Sequence, residues 1–287
     1  MGLPHDDIIT AGELAAIHND ADVRILDCRF RLVAPDHGYQ LWCEGHIPNA
    51  AYADLERDLS GPVSANTGRH PLPEASAFAA WCRSQGIDQH SRVVCYDDAS
   101  GAFAARLWWM LAVWFGHPDV RVLDGGYDHW VRGGYPVSTT NDGTRPPTGW
   151  QPQPRWEFLV ATDDIASIVA AEEAAMPILD ARTTARFRGN EEPIDPVAGH
   201  IPGALNRPFG ANLDTEGCWL PAEILHDELA PLAGGQGELI HMCGSGVTAC
   251  HNALACARAG LGEGALRLYA GSWSEWITDV TRPVASS

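Results

Sequence analysis

Residues 238–260 read ELIHMCGSGVTACHNALACARAG, and their reading decides the fold. A short apolar run ends at Met242, Cys243 follows, and Gly244 and Gly246 flank Ser245. From Val247 onward apolar residues recur at helical spacing as far as Gly260. The pattern predicts a buried strand, a tight turn and a helix. In an open α/β sheet such a turn, at the carboxyl end of a strand, is where ligands bind. Two glycines let successive N–H groups turn inward around the sulfur. The first N–H groups of the helix lack intrahelical partners and carry partial positive charge. Such a site lowers a cysteine pKa from ~8.5 into a range of about 3.5–7.5. It would equally hold an anion attached to the sulfur, with Ser245 and Thr248 adding hydroxyl donors.

Outward from this stretch the chain repeats itself. RILDCR (24–29) matches PILDAR (177–182), and GHIPNAAYADL (45–55) matches GHIPGALNRPF (199–209). RVVCYDDAS (92–100) takes the place of ELIHMCGSG (238–246), and RVLDGGYDHW (121–130) that of RLYAGSWSEW (267–276), at one constant offset. Asp97 is thus the first-copy counterpart of Cys243. Segments 135–156 hold five prolines and no periodic pattern, which reads as an extended joint. The expected division is residues 1–138, a linker 139–156, and residues 157–287. Each copy alternates short apolar runs with helical patterns: 10–20, 74–86, 101–116 and 246–260 read as helices. The fold class is α/β, two tandem domains, each a mostly parallel sheet flanked by helices.

Bulk properties narrow the function. The chain has 287 residues, 45% hydrophobic, enough for two cores. Its 19 basic and 37 acidic residues give a charge of −18, which disfavours nucleic acid and anionic membranes. A small anionic ligand would therefore need a local positive field. No apolar run approaches the ~20 residues of a membrane span. The start, MGLPHDDIIT, has no basic region followed by an apolar one, so a cytoplasmic protein is expected. The eight cysteines are scattered, without a disulfide framework, and read as free thiols.

Three other readings of Cys243 were weighed. A buried structural cysteine does not account for the glycines and the strand–turn–helix setting. A cysteine phosphatase needs an Arg after a five-residue gap to grip the dianion, and Ala249 stands there. A zinc site from His241, Cys243, Cys250 and His251 would take one pair from a strand and the other from well inside a helix. No metal is expected.

CGSGVTA after an apolar strand, two GHIP repeats, FAARLWWML, LDGGYDHW and GSWSEW together resemble the two-domain rhodanese-type sulfurtransferases, over nearly the whole chain. The resemblance implies a six-residue loop, Cys243 to Thr248, carrying the reaction in the second domain, with Asp97 at the inactive position of the first. Thiosulfate-preferring members tend to have cationic residues after the Cys. Gly244-Ser245-Gly246 is similar to the 3-mercaptopyruvate sulfurtransferases. The resemblance places a carboxylate-binding Arg at Arg188; no second Arg lies between it and the second GHIP, and Arg186 stands nearby but out of pattern. It draws Glu56 or Asp54 and His70 from the first domain toward the loop. Trp273 would wall the pocket, with Gly244, Gly246, Val247 and Thr248 lining it, whereas His46 and His200 are structural and Cys250 packs in the helix. The implied chemistry is transfer of a sulfane sulfur through a Cys243 persulfide, released as pyruvate leaves. Ser245, His70 and an acidic partner form a proton relay. The acceptor is a thiol, cyanide or thioredoxin, with no cofactor and a monomeric chain. Thiosulfate:cyanide transfer is the alternative donor chemistry, and a non-catalytic sulfur carrier the alternative class.

Overall fold

A computed structural model describes residues 7–141, 143–171, 176–235 and 237–286. The first six residues, on which the reading of the amino terminus rests, lie outside them. Two sheets, parallel in every paired strand, account for the repeat. The first has β1 (Ile8–Ile9), β2 (Val23–Asp27), β3 (Ala50–Tyr52), β4 (Arg92–Tyr96) and β5 (Val120–Leu123), in the order β1-β5-β4-β2-β3. The second has β6 (Ile178–Asp180), β7 (Leu205–Asn206), β8 (Ile240–Met242) and β9 (Arg267–Leu268), in the order β7-β6-β8-β9. The parallel bridge Leu159–Leu268 stands where β1 meets β5 in the first sheet. β4 and β8 are both interior strands, and both run straight into the loops that hold Asp97 and Cys243.

Registers follow from the repeated Asp-x-Arg. Asp27 pairs with Tyr96 across β2 and β4, and Asp180 with Met242 across β6 and β8. Each Asp is wholly buried and bonds its own Arg two residues on, at 2.6 Å for Arg29 and 2.7 Å for Arg182. Each Arg then reaches the glycine carbonyl of its GHIP, Gly45 at 2.7 Å and Gly199 at 2.8 Å. The pair therefore ties the end of a strand to the next turn. His46 and His200 serve the same turns: His46 Nδ1 contacts Trp42 O at 2.7 Å, and His200 Nδ1 contacts Phe187 O at 2.7 Å.

The two sheets do not keep separate cores. One apolar cluster joins Phe78, Trp108, Trp109 and Trp114 of the first copy to Leu225, Leu254 and Cys256 of the second. FAARLWWML supplies the seam. It forms an α-helix at Ala104–Trp108 that widens to a π-helix at Trp109–Trp114, and every residue of both is buried. Apart from Arg106 the helix is apolar all round and so must be enclosed; it packs on the first sheet and on the second domain, where Trp109 Nε1 donates to Leu266 O at 2.9 Å. Residues 139–155 carry no helix or strand where described, and a 3-10 turn begins at Trp156. They lie along the first domain, with Thr148 N on Arg83 O and Trp150 against Phe115 and His117.

Candidate active site

Cys243 follows β8 directly and is 2% exposed. Its main chain is pinned on both sides: its N–H donates to Ser272 Oγ at 3.1 Å, and its carbonyl accepts from Trp273 N at 3.0 Å. Gly246 has φ +75°, and a Cβ there would lie 2.4 Å from Ala270 O, so only glycine fits. Val247 is buried, and Thr248 ends the loop as N-cap of the helix Ala249–Arg258 without spending its hydroxyl on a cap bond.

The first domain closes over this loop. In the segment 68–70, Arg69 N donates to Ser274 Oγ at 3.0 Å, and a Cβ on Gly68 would strike Gly271 O at 2.5 Å. That docking brings His70 Nδ1 to 2.8 Å from Ser245 Oγ. His70 is buried, and burial, helped by Arg106 and Arg69, pulls its pKa down to about 4. The imidazole is therefore neutral near pH 7.

Two guanidiniums face Gly244. A Cβ on that glycine would stand 2.8 Å from Arg69 Nη2 and 3.5 Å from Arg186 Nη2. Asp195 joins them: it accepts from Arg69 Nη1 and from Arg186 Nη2 at 3.0 Å, and the same Nη2 also donates to Glu192 at 2.8 Å. Among the described residues Arg69 Nε is buried with no partner. Two guanidiniums, one from each domain, thus stand at the loop, each already paired with a carboxylate.

Three expected site residues stand elsewhere. Arg188 caps the one-turn helix Thr184–Phe187 with its side chain exposed, while Arg186, two residues earlier, faces inward. Glu56 is exposed, and among the described residues neither it nor Asp54 forms an ion pair with His70; Asp54 instead caps the N–H groups of Glu56 and Arg57. Trp273 is wholly buried rather than lining an opening, with Arg182 over its ring at 4.8 Å and its indole N–H on Val197 O. Arg69 is not among the expected residues, and Arg186, which the sequence marks only as nearby and out of pattern, faces the loop. Arg69 adjoins His70 in GRHPLP, which was the available signal. Cys250 lies in the core of the helix, and burial pushes its thiol up to about 12.

The first-domain loop shows what the turn can hold. Asp97, wholly buried, accepts N–H bonds from Ala99, Gly101, Phe103 and Ala104 at 2.8–2.9 Å. Burial pushes its carboxyl up, and these donors pull it back toward the ionised form. One anion with four converging N–H groups is a cradle of the kind that the glycines around Cys243 suggest.

Comparison with known proteins agrees with this architecture. The profile of the family "Rhodanese-like domain" matches residues 10–132 and again 162–279. A Pseudomonas aeruginosa protein named "Probable 3-mercaptopyruvate sulfurtransferase" is 48% identical, covering 97% of this chain and 98% of its own length. The Arabidopsis thaliana "Thiosulfate/3-mercaptopyruvate sulfurtransferase 2" is 34% identical over 99% of this chain and 87% of its own. The solved structure of the 3-mercaptopyruvate sulfurtransferase from Leishmania major superposes with a TM-score of 0.81 at 33% identity, over 95% of this chain and 75% of that one. Two matched domains and a cysteine loop at their junction lead to one assignment: the chain belongs to the rhodanese-like family and is a two-domain sulfurtransferase.

Proposed function

We propose that this sulfurtransferase takes its sulfur from 3-mercaptopyruvate and carries it as a Cys243 persulfide. The observation that carries the reading is the 2.8 Å contact between Ser245 and His70 within the Gly-Ser-Gly loop. The ketone oxygen of 3-mercaptopyruvate gives such a hydroxyl, held by a neutral imidazole, an acceptor on which charge develops as the enolate forms. With Nδ1 protonated, His70 donates to Ser245 Oγ and leaves the hydroxyl hydrogen for the donor's ketone oxygen.

The donor carboxylate binds the free edges of Arg69 and Arg186, a charge-assisted pair that also orients the carbonyl. The Cys243 thiolate attacks the donor sulfur. An S–S bond forms, the C3–S bond breaks, and its electron pair passes into the enolate of pyruvate. The donor's own S–H proton ends on C3, and Ser245 is placed to pass it. The outer sulfur is left as an anion on Cys243. Its place matches the chemistry of Asp97: a carboxylate oxygen stands two bonds beyond Cβ, as does the outer sulfur of a persulfide. The four N–H groups that hold Asp97 therefore indicate a loop dimensioned for that atom. An acceptor thiolate, a dithiol such as thioredoxin, or cyanide then attacks the outer sulfur and restores the Cys243 thiolate. Two half-reactions imply ping-pong kinetics for a monomeric enzyme.

Steady-state transfer to cyanide with each donor tests the reading. A higher kcat/KM on 3-mercaptopyruvate is expected; a higher value on thiosulfate overturns it. Mass spectrometry after donor exposure should show a gain of one sulfur, absent in Cys243→Ser. Thiosulfate remains the second reading because Arg69 and Arg186 would hold its dianion as readily as a carboxylate.

A further inference from the structure

Arg106 is the one charged side chain in the buried seam helix, and it is 0% exposed. No carboxylate pairs with it among the described residues. Its three hydrogen bonds all go to carbonyls: Nη1 to Gly246 O at 2.9 Å, Nη2 to His70 O at 3.1 Å and to Leu59 O at 3.4 Å. Its Nε is buried without a partner. An uncompensated buried charge is costly and calls for a reason. The other buried Arg side chains show the usual solution: Arg29 and Arg182 each lie on an Asp, and Arg207 on Glu228. Around Arg106 the groups able to carry negative charge are Cys250 and Cys243, and both support its protonation against the cost of burial. Cys250 is held as a thiol, its S–H on Gly246 O at 3.4 Å. That leaves the catalytic sulfur.

We infer that Arg106 is the counter-charge of the Cys243 sulfur, delivered across the domain interface by the first domain's buried helix. The same guanidinium holds the carbonyls of Gly246 and His70, one on each side of the Ser245–His70 contact, and so sets their register. It is a positioning residue: it touches the loop, not the donor. The first domain then contributes more than a lid, because its central helix supplies charge to the sulfur of the second. This rests on the proposed ionised Cys243. Besides Arg106, the titratable and charged groups at the loop are His70 on Ser245, Cys250 on Gly246, and Arg69, Arg186 and Asp195 at Gly244.

The test reads the acidity of Cys243 without any sulfur donor, so a failure of the mercaptopyruvate reading cannot be mistaken for a failure here. The rate of Cys243 alkylation by iodoacetamide, followed by peptide mass, is measured from pH 4 to 10 in wild type, Arg106→Met and Arg106→Lys. The midpoint is expected to rise by about one pH unit or more in Arg106→Met, a tenfold loss of thiolate on the acid side, and to stay near wild type in Arg106→Lys. An unchanged midpoint in Arg106→Met, or an equal rise in both variants, overturns the inference, since packing loss alone does not follow charge. Should the variants not fold, wild type labelled with 15N-arginine decides. One protected Nε–H signal is expected to titrate with Cys243 and to lose that titration in Cys243→Ser; no such signal overturns the inference.

Discussion

Asp97 and Cys243 stand at the same position of two copies of one loop, and the side chain alone decides what each loop does. Asp97 fills its own cradle with a carboxyl group fixed to the chain; Cys243 leaves that space for a sulfur that comes and goes. The contrast makes single-residue outcomes specific. Ser245→Ala should lower kcat/KM on 3-mercaptopyruvate by about 10²–10³-fold, the scale of one lost transition-state donor, and leave thiosulfate turnover within a few-fold. Initial-rate kinetics with both donors check this. Arg186→Met should cost about 10–100-fold in kcat/KM, the worth of a hydrogen bond to a charged group, whereas Arg188→Met should stay within twofold because that side chain is exposed. Equal losses in the two variants would remove Arg186 from the proposed donor site.

At the scale of elements, the loops and strand ends are held by buried polar bonds rather than by packing alone. Asp97→Ala would leave four N–H groups without acceptors, and at ~1 kcal/mol or more for each the loss should reach about 4 kcal/mol. Urea unfolding measures it. The Asp180–Arg182 pair reaches the site through packing: Arg182 lies under Trp273, whose N–H holds the Cys243 carbonyl. Asp180→Asn should cost about 3–5 kcal/mol, because it strands a buried guanidinium. Most strand positions were legible as short, largely apolar runs; β1, β3 and β7, of two or three residues each, carry too little pattern to read. The widening of FAARLWWML into a π-helix was not legible either, since nothing in an apolar run states its helical pitch.

For the whole molecule, four buried histidines set a pH limit. Burial pulls His70 and His241 down to about 4 and His251 to about 3, and lowers His117 as well. Unfolded histidines bind a proton near pH 6.5. Between about 6.5 and 4 the unfolded chain thus holds more protons than the folded one, so stability falls as pH falls through that window. A histidine that stays neutral through that window contributes about 1.4 kcal/mol per pH unit, and His70, His241 and His251 are three such groups. The urea midpoint should drop clearly from pH 7 to pH 5, and a flat profile would contradict neutral burial. His251 makes this also a test of domain union: its ring stacks on Trp219 at 4.0 Å and contacts Ser100 O of the other domain at 3.0 Å.

What the sequence determined by itself is the duplicated α/β plan, the strand–turn–helix around Cys243 and the family. Those depend on local periodicity, on glycines whose backbone freedom is intrinsic, and on motifs that recur within the chain. What tertiary structure decided is which side chains stand near the Cys243 loop: Arg186 rather than Arg188, and Arg69 beside His70, with Glu56 left in solvent, Trp273 sunk into the core and Arg106 on Gly246 O. Which way a charged side chain points depends on how two domains dock, and docking is fixed by shape and burial across hundreds of atoms. No spacing along one chain encodes it.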